Sequence, residues 1–170
     1  MISFQEIPPE QNTYRNLVVD LTHRCNMECN NCYIPNRDIP DMDAGKLMAF
    51  LSRLPSTTYI RLIGAEPTMR EDLRDIIRGV RRQGHKPILV TNGLKLAHLE
   101  YCQELREAGL STVLMSMNGA ANDDFYRKVD GGKYARLKTR ALRNIFRCRF
   151  IVNTGTILVR GVNEEVVPQQ

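Results

Sequence analysis

The chain has 170 residues, and 24 Lys and Arg against 19 Asp and Glu leave a net charge of +5. A content of 42% hydrophobic and 25% charged residues is that of an ordinary globular domain and excludes disordered, collagen-like and membrane-embedded classes. No run approaches the ~18 apolar residues of a membrane span, and the first nine residues, with an acid and two prolines, do not resemble a signal peptide. We therefore expect a cytoplasmic protein with one domain and no membrane span.

Short β-rich runs alternate with helical patterns along the chain. The predicted strands cover residues 17–21, 59–63, 87–91, 112–117 and 150–159. Apolar residues spaced i, i+3, i+4 and i+7 predict the helices between them. Strands separated by helices in this way predict right-handed βαβ units, a parallel sheet and an α/β fold. The length is short for a closed (β/α) barrel, which takes about 200 residues or more.

Several residues are predicted to mark helix ends. Asp43 lies at the start of the first helix, and Asn122 can cap the short helix that runs to residue 129. Thr68 and Glu71 match the S/T-x-x-E capping signature and predict the start of the second helix, which Gly84 ends. Since parallel α/β folds place their active sites at the carboxyl ends of the strands, the loops after the five strands are the candidate site.

The loop after the first strand carries Cys25, Cys29 and Cys32 in a CxxxCxxC spacing. Three thiolates so close in sequence favour one metal centre. A structural zinc ion takes four closed ligands, and here it would have to recruit His23 or a distant cysteine. An iron–sulfur cubane normally takes four cysteines too, so three leave one iron open to another ligand. The alternatives are a zinc site, or cysteines clustered by chance.

The CxxxCxxC motif resembles that of the radical S-adenosylmethionine (SAM) enzymes, and the resemblance extends from about residue 16 to residue 170. It implies a partial (β/α) TIM-like barrel, with about five of the family's usual six strands present. In that family the three cysteines hold a [4Fe-4S] cluster, and SAM chelates the fourth iron. Reductive cleavage of SAM then yields a 5′-deoxyadenosyl radical, which abstracts hydrogen from the substrate. The cofactor supplies this chemistry, and the protein orients and shields it.

The other strand ends carry residues that match further motifs of the family. Gly64, Ala65, Glu66 and Pro67 stand where the family has Gly-Gly-Glu-Pro, the segment that meets the SAM amino group. Ala65 departs from that motif by adding a Cβ atom. The resemblance also implies SAM contacts from residues near the remaining strand ends, namely Tyr33, Asn92, Ser116, Asn118, Val159 and Gly161.

We expect structural roles for the remaining two cysteines and for a segment rich in basic residues. Cys102, on the apolar stripe of its helix, and Cys148 are expected to be buried structural thiols. Residues 131–163 contain eight basic residues and no acidic one. We interpret this segment as a solvated helix face, because most of its basic residues avoid the apolar stripe of the helix and no known nucleic-acid motif accompanies them. A nucleic-acid or other anionic partner is the alternative.

The resemblance also predicts organisation and partners. Residues 1–15 are expected to form an N-terminal extension, and residues 16–170 a radical SAM core domain truncated before its sixth strand. The expected partners are an electron donor such as flavodoxin or ferredoxin, and a second polypeptide that completes the barrel. The substrate stays open among peptides, nucleosides, tRNA and lipids. The rival function is a non-catalytic zinc- or iron–sulfur-binding module that binds a partner.

Overall fold

A computed structural model of the chain describes residues 7–169. Residues 1–6 of the predicted extension and residue 170 of the predicted core domain lie outside the described residues. The strands are β1 (Asn16–Asp20), β2 (Tyr59–Ile63), β3 (Lys86–Thr91), β4 (Thr112–Ser116) and β5 (Ile151–Gly155). The helices are α1 (Ala44–Leu51), α2 (Leu73–Arg82), α3 (Leu99–Glu107), α4 (Asp123–Asp130) and α5 (Ala135–Arg147). None of the helices described is both long and apolar enough to cross a bilayer.

The strands form one parallel sheet in the order β1-β2-β3-β4-β5. Each strand pairs with the next one in the chain, and at least one helix lies between them, which confirms the predicted α/β fold. Because all strands run in the same direction, their carboxyl ends meet at one edge of the sheet. The loops predicted to form the site therefore lie side by side.

The two faces of the sheet differ in burial. Alternate strand residues such as Ile60, Leu62, Leu89 and Val113 are fully buried against the helices and form the core. The residues between them point to the other face, where Val18 and Ile151 are more than 60% exposed. A parallel sheet covered on one face only is typical of an open barrel wall, whose second face lines the interior.

A local capping signal sets the start of α1 but not the start of α2. The Asp43 side chain accepts a hydrogen bond from the Lys46 amide and caps α1, as predicted. The predicted capping box of Thr68 and Glu71 is wrong, because residues 67–69 form a separate 3₁₀ turn and α2 begins at Leu73. The amide and hydroxyl of Thr68 both donate to the buried Glu66 carboxylate instead.

The fifth strand is shorter than predicted. It ends at Gly155 rather than at residue 159. The cause is a tertiary contact, since the Ile157 amide donates to the Asn118 side-chain oxygen at 2.8 Å. The Asn163 side chain then ties the following loop down by donating to the carbonyls of Asn118 and Ile157. Residues 156–163 therefore fold over the end of β4.

Candidate functional site

A cavity of about 190 Å³ opens at the carboxyl ends of the strands. It contains residues from the loops after all five strands, as the parallel topology requires. Nine of the predicted site residues line it, namely Cys25, Cys29, Cys32, Tyr33, Gly64, Ala65, Asn92, Ser116 and Asn118. The lining also contains residues that sequence reasoning did not assign to a site, chiefly Met27, Ile34, Arg37, Val90, Thr91, Asp130, Lys138 and Ile157.

The three cysteines of the CxxxCxxC motif line this cavity together. Cys25 and Cys29 are half-buried and Cys32 is exposed. Burial, followed by the nearby Asp130 carboxylate, raises the pKa of the Cys29 thiol to about 11. Cys29 is therefore protonated at neutral pH until a metal displaces its proton, because thiols bind metals as thiolates.

Polar groups surround the sulfur atoms. An Arg37 guanidinium nitrogen lies 3.2 Å from the Cys32 sulfur. The Met27 amide donates to the Cys25 sulfur at 3.4 Å, and the Asn92 side-chain amide lies 3.9 Å from the same sulfur. Donors of this kind stabilise thiolates and thiolate-ligated metals.

The donor set fits a cluster better than a single zinc ion. Within residues 7–169, no three His, Cys, Asp or Glu side chains are grouped closely enough to hold one ion. His23 is not an available fourth ligand, because its ring nitrogens meet the Asn36 carbonyl and the Asp20 carboxylate. Cys25, Cys29 and Cys32 would hold an iron–sulfur cluster from separate positions around one cavity.

Backbone hydrogen bonds join residues 64–66 to the start of the cysteine loop. The Ala65 amide donates to the Thr22 carbonyl at 2.7 Å, and the Glu66 amide to the Arg24 carbonyl at 3.0 Å. Gly64 has φ +151°, and a Cβ atom there would overlap the Thr22 carbonyl oxygen. Among the described residues, positive φ outside glycine occurs at Ala120 and Arg149 alone, so Ala65 fits its backbone without strain.

Glu66 is placed behind the cavity wall rather than in its lining. Its side chain is fully buried, and one carboxylate oxygen accepts from Thr68 and from the Thr91 hydroxyl at 2.7 Å. The other oxygen accepts from the backbone amide of Asn92 at 2.7 Å. The carboxylate therefore joins the ends of β2 and β3. Pro67, in the adjoining 3₁₀ turn, is buried and is likewise not among the lining residues.

Asn118 joins the ends of β4 and β5. Its side-chain amide donates to Asp130 at 2.7 Å, and its side-chain oxygen accepts from Ile157. Asn118 is 3% exposed, and Ser116 lies beside it in the cavity lining. Val159 and Gly161 are not among the lining residues, and Ile157 is the contribution from the loop after β5.

Asp130 and Lys138 form a buried pair at the cavity. Lys138 is fully buried, and its ammonium donates to the Ser116 carbonyl at 2.8 Å and lies 3.9 Å from Asp130. Burial lowers the pKa of Lys138, and the Asp130 carboxylate opposes that shift. Within the described residues, the second Asp130 oxygen is buried without a hydrogen-bond partner.

The burial of Lys138 corrects the interpretation of the basic segment. The other seven basic residues of residues 131–163 are exposed, as expected of a solvated face. Lys138, however, lies on the same stripe as Ala141 and Ile145, which is the buried face of α5. Its spacing four residues after Tyr134 and three before Ala141 is the signal that identifies it as core-facing.

The end of α4 holds the cysteine loop from outside. The Asn30 side chain donates to the carbonyls of Arg127 and Lys128 at 3.2 and 3.0 Å. Gly131, which ends α4 with φ +76°, lies so close that a Cβ atom would overlap the Glu28 carbonyl oxygen. The cysteine loop is thus held against the end of α4 on both sides of Cys29, at Glu28 and at Asn30.

The structural cysteines lie away from this cavity. Cys102 is fully buried, as predicted, and its thiol donates to the Leu96 carbonyl at 3.2 Å. Cys148 is only half-buried and packs against the core.

A parallel sheet with three cysteines at its carboxyl edge defines a metal-binding α/β protein of the barrel type. Residues 19–169 match the model of the Radical SAM superfamily, and the chain belongs to that family. The superfamily uses a [4Fe-4S] cluster and SAM, the cofactors predicted from the cysteine motif.

Curated relatives support the family at moderate identity. The chain is 33% identical over 159 residues to the 7,8-dihydro-6-hydroxymethylpterin dimethyltransferase of Methanocaldococcus jannaschii, covering 88% of this chain and 31% of that protein. It is 32% identical over 120 residues to the probable GTP 3′,8-cyclase of Saccharolobus solfataricus, covering 68% and 38%. The chain spans about a third of the length of these relatives.

Solved structures share the fold. Streptococcus suis SuiB bound to its precursor peptide SuiA aligns with a TM-score of 0.75 at 15% identity, covering 91% of this chain and 35% of SuiB. Native anSMEcpe with bound AdoMet and the Kp18Cys peptide aligns with a TM-score of 0.67 at 19% identity, covering 82% and 42%. These alignments confirm the predicted partial barrel.

Proposed function

We propose that the chain is the radical-generating unit of a radical SAM enzyme. In this proposal Cys25, Cys29 and Cys32 hold a [4Fe-4S] cluster, and SAM binds in the cavity at the strand ends. The cluster, when bound and reduced, supplies the electron that cleaves SAM to methionine and a 5′-deoxyadenosyl radical, which takes a hydrogen atom from the substrate. The observation that carries the proposal is the convergence of the three cysteines with four other strand ends on one cavity.

The polar end of SAM matches the polar residues of the cavity. SAM carries an ammonium, a carboxylate and two ribose hydroxyls, and the second Asp130 oxygen is a buried acceptor suited to an ammonium or a hydroxyl. The Lys138 ammonium and the Ser116 hydroxyl are donors suited to the carboxylate and the ribose. Gly64 and Ala65, which carry little or no side chain, also line the cavity.

The apolar part of the lining suits the adenine ring. Tyr33, Ile34, Val90 and Ile157 line the same cavity. Tyr33 is 78% exposed and provides an aromatic ring in the cavity lining. We assign the contact from the loop after β5 to Ile157, since Val159 and Gly161 lie outside the lining.

The role of Glu66 in this proposal is structural. Its carboxylate positions Asn92 through the backbone amide, and it holds the β2 and β3 ends together.

In this proposal residues 16–170 form the radical SAM core, and an external donor such as a flavodoxin or ferredoxin supplies the electron. The relatives are named as a methyltransferase and a cyclase. We therefore assign this chain to the shared radical-forming step and leave its substrate unassigned.

Anaerobic reconstitution with iron and sulfide tests the proposal. We expect about four irons per chain, as a cubane requires, and loss of iron in Cys29→Ala but not in Cys102→Ala. Cys102 is the matched control because it is buried away from the cavity. One zinc per chain, no iron, and unfolding on chelation without any affinity for SAM would support the rival zinc module instead.

A further inference from the structure

Arg37 lies where the cysteine loop separates two openings. It lines the site cavity, and it also lines an outer groove of about 540 Å³ formed with Arg24, Cys25, Met27, Glu28, Cys29 and Met69. Two of the cysteines, Cys25 and Cys29, border both openings. Arg37 is therefore placed beside the sulfur atoms on the side that faces solvent.

The Arg37 guanidinium is directed at sulfur and not at a carboxylate. Its nitrogen lies 3.2 Å from the Cys32 sulfur. Among residues 7–169, no acidic side chain forms an ion pair with it. Its positive charge is thus available to the sulfur atoms.

The backbone around Arg37 is held in place. The Asn36 side-chain oxygen accepts from the Asp38 amide at 2.8 Å, and the Asn36 carbonyl meets the His23 ring at 3.0 Å. The His23 ring also contacts Asp20, at the end of β1. The turn that carries Arg37 is therefore anchored to the sheet.

Arg24 provides a comparison on the same loop. It lines the same outer groove, but its guanidinium pairs with Asp41 at 2.5 Å. One arginine is thus neutralised by a carboxylate, while the other directs its charge at the cysteines.

We propose that Arg37 is a positioning residue that raises the reduction potential of the cluster by donating to the Cys32 sulfur. This inference rests on the proposed function. A cluster ligated by three thiolates is negatively charged, and an added electron makes it more negative. A guanidinium in contact with a ligating sulfur therefore stabilises the reduced form more than the oxidised form, as hydrogen bonds to cluster sulfurs do.

The step affected is a one-electron transfer. An external reductant would lose one electron and be oxidised, and a cluster held by Cys25, Cys29 and Cys32 would accept that electron and be reduced. No bond forms or breaks and no proton moves at Arg37, which keeps its charge throughout.

An EPR-monitored redox titration of the anaerobically reconstituted chain, with dithionite as reductant and without SAM, tests the proposal. In Arg37→Met we expect a more negative midpoint, equivalent to about tenfold in the reduction equilibrium, or ~59 mV for one electron. Arg37→Lys keeps the charge without the planar fork and should lie between wild type and Arg37→Met. Arg24→Met is the matched control and should keep the wild-type midpoint.

The outcomes separate the two claims. Equal midpoints in iron-loaded wild type and Arg37→Met, or an equal shift in Arg24→Met, would overturn the role of Arg37 and leave the proposed function standing. Failure of the wild type to take up iron would overturn both. If Arg37→Met loses its iron, Arg37→Gln and Arg37→Lys decide, because a wild-type midpoint in both contradicts the proposal.

Discussion

Asp130 and Lys138 show how one buried pair connects the fold to the site. Burying either charge alone is costly, and the pair persists because Ser116 and Asn118 supply further hydrogen bonds. The same two side chains line the cavity. Asp130 and Lys138 therefore both support the end of β4 and line the cavity in which a ligand would bind.

We predict that Lys138→Met lowers the free energy of unfolding by about 3 kcal/mol, because the Asp130 carboxylate then stays buried without its cation. Adding Asp130→Asn should recover part of this loss, since a neutral amide still accepts from Asn118. Urea unfolding of both variants measures the difference. Equal stability of the single and double variants would contradict the account.

Lys138 also predicts a pH dependence. Burial puts its folded-state pKa below the ordinary 10.5 of lysine. In the alkaline range just below 10.5 the unfolded chain therefore binds more protons than the folded chain, and stability rises with pH. Wild type should gain stability over Lys138→Met as the pH rises through this range. Urea unfolding at several pH values measures the difference in unfolding free energy between the two proteins. If this difference stayed constant or fell with pH, burial would not be the main influence on the pKa of Lys138.

Gly64 tests the close approach between β2 and the cysteine loop. Gly64→Ala should cost about 3 kcal/mol, because strain at positive φ adds to overlap with the Thr22 carbonyl. Gly84→Ala is the matched control, since Gly84 also has positive φ (+81°) but nothing lies within 4 Å of an added Cβ. A comparison of thermal and urea unfolding measures both costs. Equal costs would mean that the contact with Thr22 does not constrain the site.

At the scale of elements, the carboxyl end of α4 holds the cysteine loop in place through hydrogen bonds to Asn30. Asn30→Ala removes the hydrogen bonds to the α4 carbonyls and should cost about 1 kcal/mol of stability. It should also speed the loss of iron from the reconstituted chain. Asn122→Ala removes the cap at the other end of α4 at a similar cost, and it should leave iron retention unchanged. Equal rates of iron loss in the two variants would contradict a role for the Asn30 hydrogen bonds in holding the cysteine loop.

The sequence predicted those elements whose signals are local. β2 matches its predicted bounds, and Asp43 caps α1, because strand alternation and capping depend on neighbouring residues. The capping role of Thr68 was predicted wrongly because its amide and hydroxyl donate to Glu66, a carboxylate that Thr91 of β3 also holds. The end of β5 was predicted wrongly because the Ile157 amide donates to Asn118, which is distant in the chain. The cysteines were recognisable from spacing alone, whereas Asp130 entered the site only through the folding of α4.

At the scale of the whole molecule, the site depends on an asymmetric sheet. One face is sealed by helices, and the other leaves Val18 and Ile151 exposed along the strands that lead to the cavity. The net charge is equally uneven, since seven exposed basic residues lie within residues 131–163. These seven basic residues are not among the residues that line the cavity.

The release of 5′-deoxyadenosine tests the central claim most directly. The reconstituted chain, reduced with dithionite in the presence of SAM, should form 5′-deoxyadenosine and methionine in equal amounts, detected by liquid chromatography. Cys102→Ala should retain this activity and Cys29→Ala should lose it. Release of 5′-deoxyadenosine by a variant in which Cys25, Cys29 and Cys32 are all alanine, or no release from an iron-loaded wild type, would contradict the account.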